Sequence, residues 1–236
     1  VSRFGKLYLL PVPISEDNTG NFIPGYNSVL LKTLTKFIAE DAKAARRFLK
    51  QSGYPRLEDA EILLLNEHTK SGDVSVLLAS LLQGTDIGLM SDAGCPGIAD
   101  PGAEVVKLAH QKGIEVIPLV GPSSIVLSIM ASGFNGQNFA FVGYLPIDKP
   151  QKIKRIKELE QLAIKHNQAQ FFIETPYRNE HLFDTLVENL APQTLLFIGR
   201  DITSNNQFMV SKTVAGWKKG PKPALHRVPV VYGIYK

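Results

Sequence analysis

Twelve residues, Ser91-Asp-Ala-Gly-Cys-Pro-Gly-Ile-Ala-Asp-Pro-Gly102, place three glycines and two prolines directly behind the apolar run Ile87–Met90. An apolar run that stops so abruptly reads as a buried strand feeding a tight turn. Open α/β sheets hold their ligands outside the carboxyl ends of such strands. Main chain this poor in side chains can approach a small molecule closely, so the segment reads as a binding loop. Within it Asp92 suits an Asx-type turn, and Asp100 before Pro101 suits the N-cap of the next helix.

Three further constellations carry chemistry. In Pro118-Leu-Val-Gly-Pro-Ser-Ser124 a strand ends at Gly-Pro and two hydroxyls open a helix. Ser123 and Ser124 there serve as caps, as ligands for a carboxylate or ribose, or as both. In Glu40-Asp41-Ala-Lys43-Ala-Ala-Arg46-Arg47, Lys43 and Arg47 fall at i and i+4. They share one helix face, which is either solvated charge or a seat for phosphates. Glu174-Thr-Pro-Tyr-Arg178 and Gly199-Arg200-Asp201 end two later strands, where an arginine can face a cleft.

Other chemistries lack their motifs. The chain has no GxGxxG, GxxxxGK[ST] or G-x-S-x-G segment, and its five histidines show no metal-ligand spacing. No metal is expected. The single cysteine, Cys95, excludes an intrachain disulfide and fits a reducing compartment. Residues 114–134 are broken by Glu115, Pro118, Gly121 and Pro122, so no membrane span is expected and the default location is cytoplasmic. A net charge of +4 suits a polyanion such as RNA without requiring one.

The elements that must position these residues alternate. Strands are predicted at Leu7–Leu10, Phe37–Ala39, Ile62–Leu65, Ile87–Met90 and Glu115–Leu119. Helices fall near Ser28–Thr35, Ala42–Gln51, Val74–Leu82, Ala103–Lys112 and Ser123–Ala131. This order implies an α/β fold with a mostly parallel first sheet. Turn-rich Phe134–Asn138 marks a linker, dividing the chain into residues 1–134 and 135–236. The second part has strands at Phe139–Gly143, Gln170–Ile173, Leu195–Ile198, Gln207–Lys212 and Val230–Tyr235. Its helices lie near Lys152–Lys165 and Asn179–Asn189, and it closes from Gln207 onward as an antiparallel set without a helix. The 15-residue loop Pro13–Asn27 is expected to be a lid, a binding loop or simply mobile.

Several of these segments also carry a family resemblance. Leu7–Ile14, Ile38–Asp41, Asn66-Glu-His68, Ser91–Gly102, Gly121–Ser124, Ser132-Gly133, Gly143–Pro146, Glu174–Arg178 and Arg200–Thr203 occur in the order seen in the tetrapyrrole methylase superfamily. Within it the chain is most similar to the ribosomal small-subunit RNA methyltransferase I group, which methylates a cytidine 2′-hydroxyl. The resemblance implies a two-domain, commonly homodimeric α/β enzyme that uses S-adenosylmethionine in an interdomain cleft.

By that resemblance the cofactor contacts are Leu10, Gly94, Cys95, Ile98, Ser123, Ser124, Glu174, Gly199 and Pro229. Lys43, Arg47, Arg178 and Arg200 would seat the RNA. Asp92, Glu40, Asp41 and Lys43 are the candidates to take the proton of an acceptor hydroxyl. The chain departs from the group at Ser15-Glu16, at Ala42-Lys43, at Cys95 and over 218–236. These departures leave methyl transfer in place and open the choice of acceptor. RNA leads, ahead of a small molecule such as a tetrapyrrole-like acid or a silent protein that binds cofactor or RNA.

Overall fold

The computed structural model describes residues 4–17, 22–65 and 75–236. The Asn66–His68 segment and part of the 13–27 loop lie outside the described residues. The chain divides into two compact units, Val1–Ser123 and Ser124–Lys236. That division falls one helix ahead of the expected linker. The helix 124–132 packs on strands of the second sheet, where Ser211 Oγ donates to the carbonyl of Ser132 at 2.6 Å. Phe134 is stacked on Tyr235, so the turn-rich residues after it do not mark the boundary.

The first unit contains β1 (Leu7–Leu9), α1 (Gly25–Leu31), β2 (Lys36–Ala39), α2 (Ala42–Gln51), β3 (Glu61–Leu64), α3 (Ala79–Leu82), β4 (Ile87–Leu89), α4 (Gly102–Gln111) and β5 (Val116–Pro118). Its five strands are all parallel, in the order β3-β2-β4-β1-β5. Both faces are covered, which is why Ile87, Gly88 and Leu89 are all buried instead of alternating. One apolar cluster joins Leu10, Leu31, Leu34, Phe48 and Leu49, and the other joins Leu7, Leu81, Ile87, Val105 and Ala109. Helices α1 and α2 therefore cover one face, and α3 and α4 the opposite one.

Local sequence explains where most of these helices begin. The Asp41 carboxylate accepts from the Ala44 N–H at 2.6 Å, and Ala45, Phe48 and Leu49 then turn inward on α2. α1 starts three residues before its expected first residue, Ser28, behind Pro24. Buried Asn27 holds that start by donating to the Val120 carbonyl at 2.8 Å.

The second unit contains α5 (Ser124–Ser132), β6 (Phe139–Tyr144), α6 (Lys149–His166), β7 (Ala169–Ile173), α7 (Asn179–Asn189), β8 (Leu195–Arg200), β9 (Phe208–Thr213), α8 (Val214–Lys219) and β10 (Val230–Tyr235). The sheet is mixed, ordered β6-β7-β10-β8-β9, with only the β6–β7 pair parallel. Helix α8 corrects the expectation of a helix-free end. Thr213 caps it by accepting from Gly216, and Val214 and Trp217 anchor it in the core. Two buried residues in six leave no periodicity to read. Among the described residues no helix is long and apolar enough to cross a membrane.

Candidate functional site

The strand order of the first unit creates a place for a ligand. The chain leaves β1 toward α1 on one face of the sheet, and leaves the neighbouring β4 toward α4 on the other. Loops that part in this way open a crevice at the carboxyl ends of the two strands, where doubly wound sheets bind ligands. The glycine loop lies at this point.

Hydrogen bonds fasten the crevice wall. Val12 N–H donates to Gly94 O at 2.9 Å, and Gly94 N–H returns a bond to Val12 O at 3.2 Å. The Cys95 thiol donates to the Pro122 carbonyl at 3.4 Å, which ties in the turn behind β5. Burial pushes that thiol up from its ordinary pKa. Gly94 takes a φ of +76°, and a Cβ there would stand 3.2 Å from Ile14 Cγ2 and 3.6 Å from Pro122 O. The loop's main chain is thus clasped on both sides, with Gly94 buried between Ile14 and Pro122.

Asp100 braces the far half of the loop. Its carboxylate accepts from Gly97 N–H at 2.9 Å and from Gly102 N–H at 2.7 Å. α4 consequently begins at Gly102 behind Pro101, and the expected cap at Asp100 acts from one residue farther back. Burial raises the Asp100 pKa, even though bonds from Gly97, Gly102 and Ile98 oppose the rise.

Carboxylates gather at the ends of β2 and β4. Glu40 is raised by burial, then by the charges of Asp92 and Asp100, although the Asp92 N–H bonds to it. Asp92 is raised by burial and by Asp41. Among the described residues no group of three His, Cys, Asp or Glu side chains could hold a metal ion. Beside these acids a cavity of about 140 Å³ opens between the two loops and α2. Phe48, Met90 and Val12 give it apolar walls, while Gln51, Ser91 and Asp92 give it polar ones. Arg47 also lines it and pairs with Glu16 at 2.8 Å.

The structure thus puts Asp92 and Arg47 on the cavity wall, with Glu40 and Asp41 close to Asp92 and with Gly94 and Cys95 in the loop that adjoins it. Leu10 stands at the end of β1 with its side chain packed in the core, so only its main chain borders the loop. Ile98 is about half exposed, and Lys43 is exposed outside the cavity lining. Ser123 closes the first unit and Ser124 begins α5.

The expected second-unit residues are engaged in local structure. Glu174 is buried and receives Lys152 at 3.2 Å, Arg178 at 2.8 Å and the Thr175 N–H at 2.8 Å. Burial alone would raise its pKa, but these partners lower it on balance. A Cβ on Gly199 would press on Phe197 and Ile202, so this glycine is required by packing. Pro229 O accepts from the Asp201 N–H. Arg200 donates to the carbonyls of Ala224 and Asn206, bracing its own loop instead of reaching out.

Sequence reading missed Phe48 and Gln51 as lining residues. The signal was present, because Ala44, Arg47, Phe48 and Gln51 form one helical stripe facing the loop. It also missed Lys152, whose burial follows from a partner 22 residues away in sequence.

No protein-family model matches the chain. It is 30% identical over 202 residues to a protein of Leptospira biflexa named ribosomal RNA small subunit methyltransferase I, covering 84% of this chain and 78% of that one. The protein of the same name from Bacillus subtilis is 31% identical over 221 residues, covering 92% and 71%. Among solved structures, the methyltransferase CobJ superposes with a TM-score of 0.66 at 16% identity, over 98% of this chain and 94% of that chain. Cobalt precorrin-4 methyltransferase CbiF gives 0.62 at 15%, with the same coverage. The structural likeness establishes a tetrapyrrole-methylase fold, and the curated relatives are similar over most of their own length. The protein with the clasped glycine loop therefore belongs to the ribosomal RNA small subunit methyltransferase I family of methyltransferases.

Proposed function

We propose that the protein transfers the methyl group of S-adenosylmethionine to a ribose 2′-hydroxyl of small-subunit ribosomal RNA. The reading rests on one observation: the Val12–Gly94 clasp fixes a side-chain-poor loop at the switch point between β1 and β4, beside the cavity that Asp92 and Arg47 line. The residues fit such a cofactor, because the glycine loop borders a cavity that Phe48, Met90 and Val12 line with apolar surface and Asp92, Ser91 and Gln51 with polar groups. Main chain at Cys95 and Ile98, with the Ser123 side chain at the end of the first unit, would hold it. When bound, S-adenosylmethionine supplies a methyl already activated by its sulfonium, so the protein's work is alignment and exclusion of water.

The chain's own acids differ in their freedom to take a proton. Asp41 is committed to the N-cap of α2, and Asp100 to the loop amides. Lys43 is exposed outside the cavity lining. Asp92 remains, on the cavity wall and with a raised pKa, and we assign it the acceptor's proton with Glu40 beside it. A base whose pKa rises toward the working pH is better matched to this task. Arg47 at the cavity would meet a phosphate after leaving Glu16. Glu174, Gly199, Pro229 and Arg200 act through the architecture of the second unit. We place the enzyme in the cytoplasm, the default read from its sequence, and as a homodimer, the state that the family resemblance implies.

Tritiated methyl transfer to unmethylated small ribosomal subunits tests the whole reading. Asp92→Asn should lower kcat by roughly 10²- to 10⁴-fold with unchanged cofactor affinity. RNA affinity should fall steeply with salt, because phosphate contacts release counterions. Cofactor binding with no transfer to any RNA would refute the RNA assignment, and a flat salt dependence would point to a small-molecule acceptor.

A further inference from the structure

Two tyrosines in the second unit are largely exposed. Tyr144 ends β6 with 56% of its surface open, and Tyr177 follows β7 with 67% open. The strands are parallel neighbours, with Tyr144 opposite Ile173 at their carboxyl ends. Tyr177 stands in the short turn Pro176–Arg178 four residues later. Both phenols lie within electrostatic reach of Arg178. The Arg178 guanidinium sits 5.2 Å from the centre of the Tyr177 ring.

Arg178 is held in place from below. Glu174, itself fully buried, accepts from Arg178 Nε at 2.9 Å, and its other oxygen takes Lys152 at 3.2 Å. Two cations against one carboxylate leave the group with one net positive charge. A quarter of the Arg178 side chain remains open to solvent. The patch therefore offers two aromatic faces and a fixed planar cation, on a support too buried to rearrange cheaply.

We infer that Tyr144, Tyr177 and Arg178 form a stacking platform for unpaired bases of single-stranded RNA. Every base has a π face, so such a platform grips without reading sequence. The arginine adds attraction to the ring and to the adjoining backbone. A duplex hides its base faces, so the platform selects unpaired segments. The inference rests on the RNA reading above and adds a second contact region to it.

Fluorescence anisotropy with a labelled single-stranded oligoribonucleotide, without cofactor, tests it on the full chain. Tyr144→Ala and Tyr177→Ala should each weaken binding roughly five- to hundredfold, as loss of one stacked base does. Phenylalanine at either position should restore most of it, and S-adenosylhomocysteine affinity should not change. If the wild type binds RNA and loses affinity on Arg47→Ala but not on either tyrosine change, the platform is refuted and the RNA reading survives. If the wild type binds no RNA, both fall. A tyrosine variant whose sedimentation shows a smaller assembly would assign the patch to a protein interface and overturn the inference.

Discussion

The clasped loop makes its strongest prediction at Gly94, tested against a glycine of matched strain. An L-residue forced into the left-handed region costs roughly 1–2 kcal/mol. Gly94 has φ +76° and Gly113, just beyond α4, has φ +70°. A Cβ at Gly113 meets nothing within 4 Å, whereas at Gly94 it meets Ile14 Cγ2 at 3.2 Å. Gly113→Ala thus isolates the backbone cost, and Gly94→Ala adds a methyl pressed against Ile14, which lines the cavity beside the proposed cofactor loop. In a chain of this size each kcal/mol moves Tm by about 2–4 °C. Both variants should therefore melt about 2–8 °C below the wild type, with Gly94→Ala at the lower end.

Calorimetric titration with S-adenosylhomocysteine separates the pair. Gly113→Ala should bind like the wild type, while Gly94→Ala should bind at least about tenfold more weakly, a loss of about 1.4 kcal/mol. Wild-type affinity in Gly94→Ala would place the cofactor elsewhere. Equal weakening in both variants would show that loss of stability alone explains the effect. Valine is a poorer probe, since a β-branched residue at positive φ adds strain that would blur the comparison.

The two units should respond to pH with opposite sign. Glu40, Asp92 and Asp100 have raised pKa values, so their stabilising contribution is full below about pH 4 and is lost as pH rises through the raised values. Asp92→Asn should flatten that loss in melting curves taken from pH 4 upward. Glu174 is lowered, so its contribution is present above about pH 4 and fades as pH falls through its folded value, an acid-side loss that Glu174→Gln should remove. Lys152→Ala removes one charged hydrogen bond while Arg178 still pairs with Glu174, and should cost about 1.5–3 kcal/mol by denaturant unfolding. Asp41→Ala should cost about 1 kcal/mol through the lost cap of α2, and Asp41→Asn should recover most of it.

Much of the first unit was legible because its signals are local. The runs at Leu7, Phe37, Ile62 and Ile87 become parallel strands, and α2 occupies its predicted span to the residue. The glycine loop was readable because Gly94 and Gly97 announce positive φ in their residue type. Features set by distant partners were not readable. Nothing around Glu174 says that Lys152 will bury its ammonium there, or that Arg200 will spend its donors on Ala224 and Asn206. The unit boundary was missed for the same reason. Helix α5 belongs with β9 and β10, and no pattern inside 124–132 records those strands.

The position of Cys95 has a practical consequence. Its thiol is half-buried, held protonated by its surroundings and turned toward the Pro122 carbonyl, so an alkylating reagent meets little thiolate. Modification should speed up when the loop opens and the thiol leaves the Pro122 carbonyl. With one sulfhydryl in the whole chain, the iodoacetamide reaction rate becomes a clock for that opening, needing no engineered label. A bound nucleoside resting on the loop would slow the clock, and a mass spectrometer could read its affinity from the delay.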